Sequence, residues 1–203
     1  MKLILDLGSG NTCRNDKGIV REMIDAIASV STRDHDIVLK WQLFESAPPN
    51  IPLERDVFDY AYDYAYGRFE TTASVFDEYS LEFLQEYDVP FIKIANRCDL
   101  YYLAYNPFND FIVSVDNCLN KSPNKNVTFM ACVSKYPATV AKYEKAFPPS
   151  MLKSAISDHT IGWDLYNKYK PQILEKHFVQ TRNSGNPDAG AFAVTAEELK
   201  EIL

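Results

Sequence analysis

The chain has 203 residues, 46% of them apolar, which is enough to bury one substantial core, and its length favours a single domain over residues 1–203. A net charge of −7 argues against a nucleic-acid or anionic-membrane surface, because no basic stripe offsets the acidic background. No run reaches the roughly 18 apolar residues of a membrane span, and Asp6 interrupts the N-terminal run too early for a secretory signal, so a cytoplasmic location is expected.

Short apolar, β-branched runs alternate with helical or turn-rich stretches. The first run, "KLILDL", leads through "GSGNT" to a helix in which Ile19, Val20, Met23, Ile24 and Ile27 recur at helical spacing after a polar "RND". "DIVLKWQLF" follows, and the stretch from Pro52 to Gly67, proline first and glycine last, predicts a second helix. Its "YAYDYAY" also alternates with the period of a strand. "FETTASV" precedes a third helix from Asp77 to about Tyr87. "PFIKIA", "DFIVSV", "NVTFMACVS", "SAIS" and "QILEKHFV" complete eight runs, and "TAEEL" opens a final helix with a capping box from Thr195 to Glu198. Near-continuous apolar strands between helices predict a parallel sheet covered on both faces, and eight such units predict a closed (β/α)8 TIM barrel. Such a barrel usually takes about 250 residues. Several helices must therefore be shortened, notably after "PFIKIA", after "DFIVSV" and between His159 and Gln172.

Cys13, Cys98, Cys118 and Cys132 are scattered without a CxxC pair and read as reduced, mostly buried thiols. The acceptor patterns at Asn120 and Asn126 carry no weight without a secretory signal.

In a barrel the reacting groups stand at the C-terminal ends of the strands. Read in order, the runs close with Asp6, Lys40 with Gln42, Ser74, Lys93 with Asn96, Ser114, Ser134 with Tyr136, Ser157 with His159, and Glu175 with His177. A lysine at an inward position such as Lys93 is costly unless something anionic meets it. Lysines, hydroxyls, imidazoles and carboxylates around one mouth suit a phosphate or carboxylate ligand beside a metal, and His159 and His177 are the candidate ligands.

Through "TASVFDEYSLEFLQEYDVPFIKIAN", "CVSKYPATV", "ISDHTIG", "EKHF" and "PD…TAEEL", the chain resembles the catalytic barrel of the sialic acid (N-acetylneuraminate) synthase family, strongly from Ser74 onward and weakly before it. The resemblance implies a metal-dependent enzyme that condenses phosphoenolpyruvate with a sugar aldehyde, an aldose or amino sugar, and releases phosphate. It implies a divalent ion, typically Mn2+, held by His159 and His177, with Lys40, Ser74, Lys93, Ser114, Tyr136 and Ser157 around phosphoenolpyruvate. Asn96 and Ser134 match further substrate-binding positions, Asp6 and Asp188 match positions that contact the sugar, and Glu175 lies near the metal. The lysines would neutralise the carboxylate and phosphate, with Glu175 or Asp6 as proton acceptor.

The pattern also departs from the family. Asn96 replaces a serine, Arg97 and Cys98 displace the acid that follows it, Ser134 replaces an asparagine, and Ala189 stands where a histidine is expected. "SVD" replaces "STG", and "GSGNT" stands near the place of "NHNG". Full-length members carry a C-terminal antifreeze-like domain whose arginine reaches the partner subunit's sugar site. This sequence ends at Leu203 without it, so a homodimer or a separate protein supplying that domain is the expected partnership. Two other readings stay open: a noncatalytic barrel that binds metal or a phosphoenolpyruvate-like ligand, and an S-adenosylmethionine-dependent methyltransferase suggested by "LDLGSGN".

Overall fold

A computed structural model describes residues 1–32, 34–105, 109–116, 125–182 and 186–203. Among them, the strands β1 (Lys2–Gly8), β2 (Asp36–Leu43), β3 (Glu70–Val75), β4 (Ile92–Ile94), β5 (Phe111–Val115), β6 (Val127–Cys132), β7 (Ala155–Ser157) and β8 (Ile173–His177) close into a barrel in sequence order. Every neighbouring pair is parallel, including β1 with β8. All eight apolar runs became strands because each is buried on both sides. One side packs inside the barrel, where Ile4, Val38, Phe91, Ile112, Met130 and Ala155 form the floor. The other side, including Leu3, Leu5, Leu39, Ile156 and Leu174, joins the larger core under the surrounding helices.

Helix α1 (Gly10–Cys13) is one turn capped by Ser9, and α2 (Lys17–Ala28) is the amphipathic helix expected from its isoleucines. Val20, Met23, Ile24 and Ile27 face the core, and the Asp16 carboxylate accepts from Gly18 N at 2.7 Å and Ile19 N at 3.3 Å. Helix α3 (Arg55–Ala65) begins three residues later than the proline suggested. The Asn15 side chain holds Pro52–Glu54 extended, donating to Pro52 O at 3.0 Å and accepting from Glu54 N at 3.1 Å. Its tyrosines lie on a helix, with Tyr60 and Tyr64 stacked at 5.6 Å, so the strand alternative for this segment is set aside.

Helix α4 (Glu78–Leu84) is capped by Asp77, whose carboxylate accepts from Ser80 N. A 3-10 helix (Cys98–Tyr105) follows β4, while most of the connection after β5 lies outside the described residues. Two short helices, α5 (Val140–Ala146) and α6 (Pro149–Ser154), link β6 to β7. Helix α7 (Asp164–Tyr169) spans only six residues and α8 (Ala196–Leu199) only four, the latter with its Thr195–Glu198 capping box. Shortened helices thus fit a full barrel into a short chain.

The glycine-rich turn after β1 is a packing device. Gly8 has φ +77°, and a Cβ on Gly10 would lie 2.4 Å from Pro52 O. A closed barrel also lacks the open-sheet crevice on which the methyltransferase reading depended. Cys13 and Cys132 are buried free thiols, Cys98 is an exposed one, and Cys118 lies outside the described residues. No helix among the described residues is long and apolar enough to cross a membrane.

Candidate functional site

Side chains two apart on a strand share a face, so each floor residue predicts what stands above it. Above Ile4 stands Asp6; above Val38, Lys40 and then Gln42; above Phe91, Lys93; above Ile112, Ser114; above Ala155, Ser157 and then His159. Glu175 and His177 continue the line from Ile173, and Ser74 completes the ring from β3. These groups line a cavity of about 440 Å³ at the C-terminal mouth, with Asn96, Ser134, Tyr136 and Asp188 at its rim. Every site residue named from the sequence borders this one space.

Its charges are almost fully removed from water. Asp6, Lys40, Lys93 and Glu175 are each 5% exposed or less. Lys40 Nζ donates to Asp6 Oδ2 at 2.6 Å and to Ser74 Oγ at 2.9 Å, with Glu175 Oε2 at 3.5 Å. Asp6 also accepts from Gln42 Nε2 at 3.1 Å and from Gly8 N at 3.0 Å. Burial alone would raise its pKa, but Lys40 and His177 hold the carboxyl well below the usual range. Burial likewise opposes the charge on Lys40, yet Asp6 and Glu175 lift its pKa above the ordinary value.

Lys93 Nζ donates to Ser114 Oγ at 2.7 Å and Ile94 O at 3.1 Å, and its nearest carboxylate is Glu175 Oε1 at 3.9 Å. Here burial wins, and the ammonium's pKa is lowered. Glu175 sits between the two ammonium groups, which outweigh burial and keep its pKa low. Ser157 donates to its Oε1 at 2.8 Å, while Oε2 is buried without a hydrogen-bond partner.

The imidazoles of His159 and His177 face the same opening, their ring centroids 5.5 Å apart. His159 Nδ1 lies 2.8 Å from Val133 O. A carbonyl only accepts, so Nδ1 carries the proton and Nε2 keeps its lone pair. Burial and the neighbouring His177 pull the His159 pKa down to about 3, so the ring is neutral. His177 behaves oppositely. Burial opposes its charge, but Asp6 and Asp188 outweigh it and raise its pKa. Its Nδ1 lies 3.2 Å from Asp188 Oδ1, an ionic contact without hydrogen-bond geometry, and Nε2 is 4.0 Å from Asp6.

The NeuB family model matches residues 109–203, just under half of the chain. An N-acetylneuraminic acid (sialic acid) synthetase from Leptospira borgpetersenii, solved with citrate, superposes with a TM-score of 0.74 at 21% identity, over 98% of this chain and 80% of that one. The barrel shares its fold with that synthetase. A spore coat polysaccharide biosynthesis protein from Bacillus subtilis aligns with a TM-score of 0.73 at 20% identity, over 98% of this chain and 65% of that one. A truncated 3-deoxy-D-arabino-heptulosonate 7-phosphate synthase from Thermotoga maritima gives 0.69 at 12% identity, over 99% and 83%. No curated protein matches the chain in sequence.

The two imidazoles at this opening are the residues that would hold a divalent ion. A neutral imidazole keeps a lone pair on Nε2, with Ser157 Oγ 3.3 Å away, and a second imidazole lies where two carboxylates favour positive charge. Among the described residues no group of three or more His, Cys, Asp or Glu could hold a metal, so the two imidazoles need water or substrate oxygens to complete a shell. Sequence reasoning missed several lining residues, Arg97 and Phe192 among them. Arg97 borders the cavity while pairing with Asp99 at 2.5 Å. Phe192 stands edge-on to His177 at 5.1 Å and to Tyr136 at 5.0 Å. The Phe192 ring would lie 2.3 Å from a Cβ on Gly190, a close approach that is the one local signal for its place.

Proposed function

We propose that the cavity condenses phosphoenolpyruvate with the open-chain aldehyde of an aldose or amino sugar, giving a 2-keto sugar acid and phosphate. The observation that carries this reading is the pair of buried ammonium groups, Lys40 and Lys93, meeting at Glu175. Two buried cations on one small site suit a ligand with more than one anionic group. The match of the C-terminal half to the NeuB family supports the same class.

Lys40 and Lys93 bind carboxylate and phosphate, with Ser74 and Ser114 holding each ammonium in place. His159 and His177 would hold a divalent ion such as Mn2+, which would supply polarisation of the aldehyde oxygen. The methylene carbon of phosphoenolpyruvate bonds to the aldehyde carbon, and water adds to the cationic carbon left behind. The proton that water gives to a carboxylate passes on to the former aldehyde oxygen, and the carbon–oxygen bond to phosphate breaks as the ketone forms, the remaining hydroxyl proton leaving with the phosphate. Glu175 is the better acceptor, since Oε2 lacks a hydrogen bond while Asp6 is engaged by Lys40, Gln42 and Gly8.

An adjoining cavity of about 510 Å³ shares Gln42, Arg97 and Asp188 and gives the sugar room, with Asp188 and the rim groups Asn96, Ser134 and Tyr136 toward its hydroxyls. Phosphate release from phosphoenolpyruvate across a panel of aldoses, with Mn2+ and with chelator, tests the reaction. One aldose should give metal-dependent release, and calorimetric binding of phosphoenolpyruvate should vanish in Lys93→Ala and His159→Ala. Binding without release from any aldose would leave a noncatalytic receptor, and no binding at all would remove the proposal.

A further inference from the structure

His159 and His177 are each preceded by a charged residue that points away from the cavity. Alternation along β7 and β8 sends Asp158 and Lys176 to the outer side of the barrel wall, the side of Ile156 and Leu174. Both side chains there are 0% exposed. Lys176 Nζ donates to Asp158 Oδ2 at 3.1 Å and to Thr160 O at 2.7 Å, and lies 5.5 Å over the Trp163 ring. The other oxygen, Asp158 Oδ1, accepts from Thr160 N and Thr160 Oγ1, both at 2.7 Å. Asp158 N donates to Glu175 O at 2.8 Å, continuing the β7–β8 ladder past its last strand residue.

We propose that Asp158 and Lys176 are positioning residues, one ion pair behind the wall that aims both imidazoles at a common point. The inference rests on the reading of His159 and His177 as a metal pair. Each member is bonded to its histidine through one peptide unit, so any sliding of β7 against β8 must break the pair. Asp158 also folds the "DHT" turn onto itself through Thr160, on the residue just beyond His159. A buried ion pair is weak evidence for stability, because apolar residues of similar size often replace one without loss. What such a pair provides is a fixed register between two strand ends; groups that hydrogen-bond directly to metal-binding histidines and orient them typically tune affinity 10–100-fold, and this pair would orient the rings through the backbone.

Stability and aim therefore separate experimentally. The double variant Asp158→Leu/Lys176→Met removes both charges together and avoids stranding one. The chain has three histidines, so long-range 1H–15N spectra of the imidazoles are readily assigned. Measured without metal, the His159 and His177 signals of the double variant should shift or broaden while His35 is unchanged, and calorimetric Mn2+ affinity should fall 10–100-fold. Thr160→Val, which removes one hydrogen bond and strands no charge, should move the His159 signals in the same direction and serves if the double variant does not fold. Wild-type imidazole signals in a folded variant would overturn the proposal. If the unaltered protein binds no Mn2+, the metal reading fails by itself, and the metal-free spectra still decide whether the pair aims the rings.

Discussion

Tyr143 is wholly buried, and its hydroxyl serves two strand-end backbone groups. It donates to Ser157 O at 2.5 Å and accepts from His159 N at 3.1 Å. Tyr143→Phe keeps the ring and leaves both backbone groups without a partner, so a loss of about 1–3 kcal/mol is expected. Denaturant unfolding should show a lower midpoint at unchanged slope. An unchanged midpoint would mean that water or a shifted strand replaces the hydroxyl. Residues such as Lys40, Lys93, Glu175 and His177 were legible because the inward side follows from a period of two. Tyr143, Lys176 and Phe192 were not, because their roles depend on how a helix or a late loop crosses the barrel, which periodicity does not encode.

At the scale of elements, the caps of α2 and α3 offer a controlled comparison. Asp16 bonds two orphan amides of α2, whereas the Glu54 side chain makes no cap hydrogen bond to α3. Asp16→Ala should cost about 1 kcal/mol. For a chain of this size that lowers Tm by roughly 2–4 °C. Glu54→Ala should stay within about 0.5 kcal/mol. Thermal melts of both variants check the contrast, and equal losses would show that capping does not set the difference. The strands were readable because parallel strands buried on both faces form continuous apolar runs. The start of α3 was not, because Asn15, some forty residues from it in sequence, decides where the chain turns helical.

For the molecule as a whole, the cavity's charge balance matters more than the net −7 of the chain. Three carboxylates, Asp6, Glu175 and Asp188, are met by the ammonium groups of Lys40 and Lys93 and by His177, whose proton affinity the carboxylates raise. Adding phosphoenolpyruvate alone would bring several negative charges into a site sheltered from water, and adding a divalent ion alone would bring uncompensated positive charge. On the proposed reading each would therefore favour entry of the other, and the coupling would be reciprocal. At about 100 times its dissociation constant a ligand stabilises the folded state by about 2.7 kcal/mol. At this chain length that corresponds to a rise in Tm of roughly 5–10 °C. The rise should appear with Mn2+ and phosphoenolpyruvate together, be clearly smaller with either alone, and vanish on adding chelator. A full rise with phosphoenolpyruvate alone, insensitive to chelator, would mean that Lys40 and Lys93 bind the anion without any ion at the imidazoles.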